Sequence, residues 1–346
     1  MHTLQATASS SLSLAEGNYI YSIAPASPGS FAAISSDDSL RVFDAAGLAR
    51  VSVVAADTHT GVTSLRSYSV DQQLLATGGR DGKVKLWDLR SGKKNSAVME
   101  VETCKLRSPR IVGSLLPPDQ QPRCGNRAGL LPGHRSVLIP RPAQTPLQYH
   151  PTRPDIFLSG STDGLVNIYN TTIADEDDAL VQVINHGSVH HAGFLTEKTI
   201  YALSHDEVFS IHPATDPDEQ TQEPDPVQFG DLRQPLDCEY IAQLCIGSQG
   251  PYIAAGNKMD KRLDLIPLVA DPTWRFDQEN LWRLPGGHGE EVVRSVYLDE
   301  QSVFTGGEDG FVRVWKAGGE EMETESPVKA SRPEKKNKEK GRFRPY

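Results

Sequence analysis

The alternation of apolar and polar positions in Gly78–Arg90 predicts the end of one β-strand, a tight turn and a second strand. Val84 and Leu86 alternate with Lys83 and Lys85, the period of two that sends successive side chains to opposite faces of a sheet. Asp81-Gly82 supplies the turn, because a two-residue hairpin loop needs positive φ and glycine adopts it without steric cost. Trp87 falls on the lysine parity, so both faces of this strand are expected to be covered. The phrase returns as Gly306–Trp315, and weaker versions occupy Phe31–Asp44, Phe157–Asn170, Tyr201–Pro213 and Tyr252–Leu268.

Turn aspartates stand at Asp38, Asp81, Asp163, Asp206, Asp260 and Asp309, at intervals of 43, 82, 43, 54 and 49 residues. A period of ~40–45 residues is one four-stranded blade of a propeller. The interval of 82 holds two periods, so one unit is hidden near residue 122. With this spacing and the Trp-Asp ending at Trp87-Asp88, the chain resembles the WD-repeat family over Met1–Ala317. The resemblance implies an all-β fold, a seven-bladed WD-repeat β-propeller, followed by a charged tail over 318–346. No strand pattern follows Lys316, so His2–Ser13 is expected to provide the outer strand of the last blade. Such closure removes exposed sheet edges.

The family also implies a buried hydrogen-bonded set in each regular blade. Its positions here are His59, Thr77, Asp81 and Trp87, and again His288, Thr305, Asp309 and Trp315. The His-to-Thr spacing is 18 and 17 residues, and His186 and Ser204 repeat the 18. A set that recurs per blade and carries a Trp donor reads as structural, not as a hydrolase triad. Within the family, the Asp163 unit, Tyr201–Pro213 and the last unit resemble the WD repeat-containing protein 89 group in a fungal-type version, a scaffold with no catalytic residues to transfer. Trp87-Asp88-Leu89-Arg90 fits the W-D-x-R box of propellers that bring substrates to a cullin–RING ubiquitin ligase through an adaptor propeller. That likeness makes Trp87, Asp88 and Arg90 candidate adaptor-binding residues.

Cys104–Pro146 breaks the pattern. Eight of its 43 residues are proline, and proline cannot donate in a sheet ladder. Two readings account for it: a disordered insertion in place of a degenerate blade, or a segment translated out of frame or through a retained intron. The preserved length favours replacement over insertion, and the Pro, Arg, Leu, Gly and Cys content favours the out-of-frame reading. Strands are expected to resume near Leu147.

Hydrophobic residues make up 38% of the chain and charged residues 23%, as in soluble globular proteins. The N-terminus lacks a basic start and a continuous apolar stretch, so neither a signal peptide nor a membrane partner is expected. The four cysteines lack metal-site or disulfide spacing, which points to a reducing compartment, nucleus or cytoplasm. His190-His191 has no third ligand in register; no metal and no cofactor are expected. The net charge of −10 is uneven, since Ser326–Tyr346 carries eight Lys/Arg against two Glu. Lys335, Lys336, Lys338, Lys340, Arg342 and Arg344 form a candidate nuclear-import or RNA-contacting run. Asp175–Asp178 and Thr215–Asp231 are acidic and expected in surface loops, where they either confer solubility or dock a basic partner. Phosphate-loop, zinc-protease and nucleophile-elbow motifs are absent. The expected function is a monomeric, non-enzymatic protein-interaction scaffold; the alternatives are a ubiquitin-ligase substrate receptor and a nuclear ribosome-assembly or RNA-associated factor.

Overall fold

The computed structural model describes residues 1–92, 94–102, 147–173, 175–216 and 223–318. The expectations for Cys104–Pro146 and for the tail lie outside the described residues.

Strand β1 (His2–Ser10) opens the chain. Blade A is β2 (Ile20–Ser27), β3 (Ser30–Ser35), β4 (Leu40–Asp44) and β5 (Val51–Ala55). Blade B is β6 (Val62–Ser69), β7 (Leu74–Gly79), β8 (Lys83–Asp88) and β9 (Met99–Glu102). Blade C is β10 (Leu147–Tyr149), β11 (Ile156–Gly160), β12 (Leu165–Asn170) and β13 (Leu180–Asn185). Blade D is β14 (Val189–Thr196), β15 (Thr199–Ser204), β16 (Val208–Pro213) and β17 (Val227–Asp231). Blade E is β18 (Tyr240–Gly247), β19 (Gly250–Asn257) and β20 (Arg262–Ala270), with the short β21 (Trp274–Phe276) beside β20 and β22 (Trp282–Pro285) as its fourth strand. Blade F is β23 (Val293–Leu298), β24 (Val303–Gly307) and β25 (Val312–Ala317).

Blades A to D are separate four-stranded sheets, while E and F belong to one nine-stranded sheet. The join is β1. It runs antiparallel to β25, where Leu4 pairs with Ala317 and Ser10 with Val312, and so completes blade F from the other end of the chain. His2 and Thr3 then pair in parallel with Trp282 and Arg283 of blade E. Leu4 is buried in the cluster that holds Trp315, so apolar packing as well as the ladder holds the closing strand.

Among the described residues five apolar clusters form the core, and each lies between two consecutive blades: A with B, C with D, D with E, E with F, and F with A. The alternation of each strand sends one set of side chains to each neighbour, which is why both parities are apolar in the most buried strands. Side chains also stitch the blades through the backbone. The Asp38 carboxylate accepts from Gly61 N at 3.0 Å and Val62 N at 2.7 Å across A and B. Gln148 Oε1 accepts from Phe194 N at 2.9 Å across C and D. The Glu207 carboxylate accepts from Ile241 N at 3.1 Å across D and E. Val293 N donates to Tyr240 Oη at 2.8 Å across E and F, and Ile23 N to Ser295 Oγ at 3.0 Å across F and A. In the sequence, blades B and C are separated by residues 103–146, outside the described residues.

All six turn aspartates sit between the second and third strands of a blade. The Asp81 turn differs from the two-residue loop expected. Its loop is Arg80–Gly82, and only Gly82 of the three has positive φ, at 70°. Gly82 N closes the turn on Gly79 O at 3.1 Å, and the Asp81 side chain caps Lys83 N at 3.1 Å. Thr215–Asp231 also differs: it joins β16 to β17 within blade D, and its end, Val227–Asp231, is itself a strand.

Candidate functional site

In blade B, Thr77 Oγ1 sits 2.8 Å from His59 Nε2 and 2.8 Å from Trp87 Nε1. His59 Nδ1 lies 3.0 Å from the Asp81 carboxylate. Blade F repeats the arrangement. Thr305 Oγ1 is 2.7 Å from His288 Nε2 and 2.9 Å from Trp315 Nε1, and His288 Nδ1 is 2.7 Å from Asp309. One proton pattern satisfies every group. The indole donates to the hydroxyl, the hydroxyl donates to Nε2, and Nδ1–H donates to the carboxylate. Burial holds His288 below the ordinary histidine pKa, so it is neutral, against the opposing pull of Asp309. Burial pushes the Asp309 carboxyl up, but the hydrogen bond from His288 and the Arg313 guanidinium bring it below the usual carboxylate range. Gly79 and Gly307 are imposed by the same packing: a Cβ there would meet His59 Cβ at 2.4 Å and His288 Nδ1 at 2.5 Å. The threonine hydroxyls are buried at 1% and 0% residue exposure and have no face left for a substrate. This is nucleophile, base and acid in hydrogen-bond range, yet used wholly to tie strands together.

The third spacing does not form such a set. His186 turns instead to Ser210 Oγ at 2.9 Å and Val208 O at 3.0 Å, and Ser210 also contacts His212 Nε2 at 2.7 Å. Ser204 is used locally, accepting from Asp206 N and Val208 N at 3.2 Å each. The reason is one of register. Counting back four residues from the turn aspartate, as from Asp81 to Thr77, reaches Ala202, which has no hydroxyl. Blade A substitutes a charged set, in which the half-buried Asp37 accepts from Ser35, Ser39 and Arg41.

Asp88 and Arg90 lie where β8 ends. The Arg90 guanidinium forks onto the Asp88 carboxylate, Nε at 2.9 Å and Nη2 at 2.8 Å, while Arg90 N caps the same carboxylate at 3.0 Å. Trp87 is buried at 3% exposure and belongs to the blade, whereas the Arg90 side chain is 56% exposed. The structure shows a second such turn. Arg233 Nε and N each reach Asp231 Oδ1 at 3.0 Å, and Nη2 reaches Oδ2 at 2.6 Å. Asp231-Leu232-Arg233 repeats Asp88-Leu89-Arg90, so a string search without the tryptophan finds it. The copies face opposite ways. Arg90 follows a third strand and Arg233 a fourth, and these run antiparallel within a blade.

His190 and His191 lie on β14, the first strand of blade D, with the His205 ring 4.9 Å from that of His190. Burial is the largest cause that lowers both, His190 to about 4 and His191 to about 3. Among the described residues no group of three His, Cys, Asp or Glu is placed to hold a metal. No described helix is long and apolar enough to cross a membrane.

A groove of about 410 Å³ runs between the outer strand of blade C and the β16–β17 connection of blade D. Val183, His212, Glu223, Pro224 and Pro226 are among its walls. Val183 and Leu180 on β13 are 50% and 38% exposed.

Comparison with known proteins gives consistent matches. The family model described as WD domain, G-beta repeat, matches residues 52–88 and 279–316, each span running from an outer strand through three strands of the next blade. An uncharacterized WD repeat-containing protein of Saccharomyces cerevisiae is 39% identical over 177 residues, covering 50% of this chain and 44% of the relative. The chain thus spans less than half the length of that relative. An uncharacterized WD repeat-containing protein of Schizosaccharomyces pombe is 28% identical over 75% of this chain and 83% of its own length. A WD repeat-containing protein 89 homolog of Dictyostelium discoideum is 39% identical over 66 residues, 18% of each chain. Among solved structures, the β-propeller domain of Cps50 (Swd1) from Myceliophteria thermophila superposes with a TM-score of 0.57 over 91% of this chain and 99% of that one. At 16% identity that likeness speaks to fold alone.

Proposed function

Because this chain is a member of the WD-repeat family, we propose that it is a non-enzymatic protein-interaction scaffold. One observation carries the reading: the side chains that resemble catalytic machinery, His59–Thr77–Asp81 and His288–Thr305–Asp309, are hydrogen-bonded to one another and to Trp87 and Trp315, and their carboxylates also hold Lys83 N, Phe311 N and Arg313. What remains for function is a stiff ring that offers loops on two faces, and function on such a fold resides in grafted surface sites. Seven blades is part of the proposal, since residues 103–146 have the length of one repeat. Affinity purification of the full chain from its native cells, with mass spectrometry, tests it. A reproducible protein partner supports the reading; recovery of the chain alone after crosslinking rejects it.

A second reading rests on the exposed Arg90. There the chain is a substrate receptor that docks the adaptor propeller of a cullin–RING ligase through Trp87, Asp88 and Arg90, with the Asp88–Arg90 fork holding the guanidinium at the blade's end. Loss of a co-purifying adaptor in Arg90→Ala, with retention in Arg233→Ala, supports it; absence of the adaptor from the wild-type complex rejects it. The import and RNA-contact role of Lys335, Lys336, Lys338, Lys340, Arg342 and Arg344, with a nuclear location, stays a proposal, tested by relocation on deleting Ser331–Tyr346.

A further inference from the structure

We propose that the groove between blades C and D is a docking surface for the chain's own basic C-terminal segment, Ser326–Tyr346.

The groove has a shape and a charge that fit an extended cationic peptide. One wall is β13, the outermost strand of blade C, whose far edge carries no ladder partner among the described residues. The other is the proline-containing run Glu223–Pro226. Prolines and the exposed Val183 and Leu180 give apolar surface on which the methylene stems of Lys and Arg lie well. Glu223 lines the groove and Asp225 belongs to the same run, while Asp175, Asp177 and Asp178 stand at the single helical turn Glu176–Ala179 that leads into β13; all five are exposed. None of these five carboxylates has an ion-pair partner among the described residues, whereas their neighbour Asp216 is held by Arg153 at 2.9 Å. Unneutralised carboxylates in one wall of the groove and at the entry to the strand that forms the other give a local negative potential that selects a cation.

Topology brings the tail to the same face. The acidic turn of blade C and the loop of blade D both join a third strand to a fourth. The tail leaves β25, the third strand of blade F, at Ala317, where that connection would begin. Third strands of all blades run the same way, so all three segments emerge on one face. Eighteen residues carry the chain from Ala317 to Lys335. Extended, they reach about 60 Å, beyond the roughly 40 Å of two opposed four-stranded blades at ~4.8 Å per strand. Ser326–Tyr346 brings eight Lys/Arg against two Glu, with Phe343, Pro345 and Tyr346 at its end. The surface is thus occupied in cis until something displaces the tail.

Zero-length carbodiimide coupling of the full-length chain, followed by peptide mapping, tests this. The expected result is amide bonds from Lys335, Lys336, Lys338 or Lys340 to Asp175–Asp178, Glu223 or Asp225, within one molecule when ¹⁴N and ¹⁵N chains are mixed. The charge reversal K335E/K336E/K338E/K340E, which leaves every described residue intact, should abolish them. Pairing it with D175K/D177K/D178K should restore coupling at least tenfold, with the partners exchanged. Thermal melting of each variant shows whether the loop reversal keeps the fold. Coupling of the tail to other acidic residues overturns the proposal, as does coupling only between molecules, which marks a second copy as the occupant. A tail that couples to nothing overturns it as well.

Discussion

Thr305→Val removes one oxygen from the centre of blade F and is the sharpest probe of the buried set. The residue is 0% exposed, and its Oγ1 serves both His288 Nε2 at 2.7 Å and Trp315 Nε1 at 2.9 Å. Valine keeps the shape and the β-branching, so the strand and the packing survive. Two buried polar groups lose their partner, and each unsatisfied group costs about 1–3 kcal/mol. The expected destabilisation is therefore roughly 2–6 kcal/mol, against the fraction of a kcal/mol usual for a surface change. Urea unfolding followed by far-UV circular dichroism reads it as a lower midpoint at unchanged slope. Trp315→Phe removes the indole donor in advance, so Thr305→Val made on that background orphans His288 alone. The double-mutant cycle should then show a coupling of about 1–2 kcal/mol. A Thr305→Val shift below about 0.5 kcal/mol, or no coupling to Trp315, would refute the claim that the hydroxyl organises the blade.

Other consequences follow from the same geometry. Asp38→Ala leaves Gly61 N and Val62 N without their carboxylate at the A–B junction, and should cost about 1–3 kcal/mol by thermal or urea unfolding. Stability should fall with acid: His190 and His191 have folded pKa values of about 4 and 3, below the ordinary 6.5. The unfolded chain therefore binds more protons below pH 6.5, and each histidine costs about 2 kcal/mol by pH 5. Glu207, raised to about 7 chiefly by burial, has the opposite sign: its contribution is fully present below 4.5 and is lost as pH rises through 7. His190→Asn should flatten the acid limb, and Glu207→Gln the limb near neutrality; an unaltered profile in either variant contradicts that assignment. Arg90→Ala should leave the unfolding midpoint indistinguishable from wild type, because its fork with Asp88 is exposed.

The period of the turn aspartates was enough to read the blades, because each hairpin places its aspartate at the same corner whatever the strands contain. Asp260, in the unit with the least familiar sequence, still lies between β19 and β20. The closing strand was legible for a physical reason as well: a last unit of three strands leaves an edge, and His2–Ser10 is the apolar-alternating segment free to cover it. The detail of polar pairing was not legible. His186 and Ser204 have the right separation, yet spacing alone carries no information on which strand supplies the hydroxyl, and Ala202 is what decides it. The groove was hidden more thoroughly. Its two walls, β13 and Glu223–Pro226, lie about forty residues apart in the chain, and only the stacking of blade D on blade C makes them neighbours. The second Asp-Leu-Arg turn is not legible from the W-D-x-R box, because the tryptophan of that box belongs to the blade interior and not to the exposed fork.

The central claim is that this ring exists to hold protein partners. Native mass spectrometry of the full chain, isolated under gentle conditions from its own cells, tests it most directly. The account predicts a complex of defined stoichiometry with at least one other polypeptide, whose crosslinks to the chain fall on interblade loops or groove residues and not on the buried sets of blades B and F. A chain found only at its own mass, or turning over a small molecule with no polypeptide bound, would contradict it.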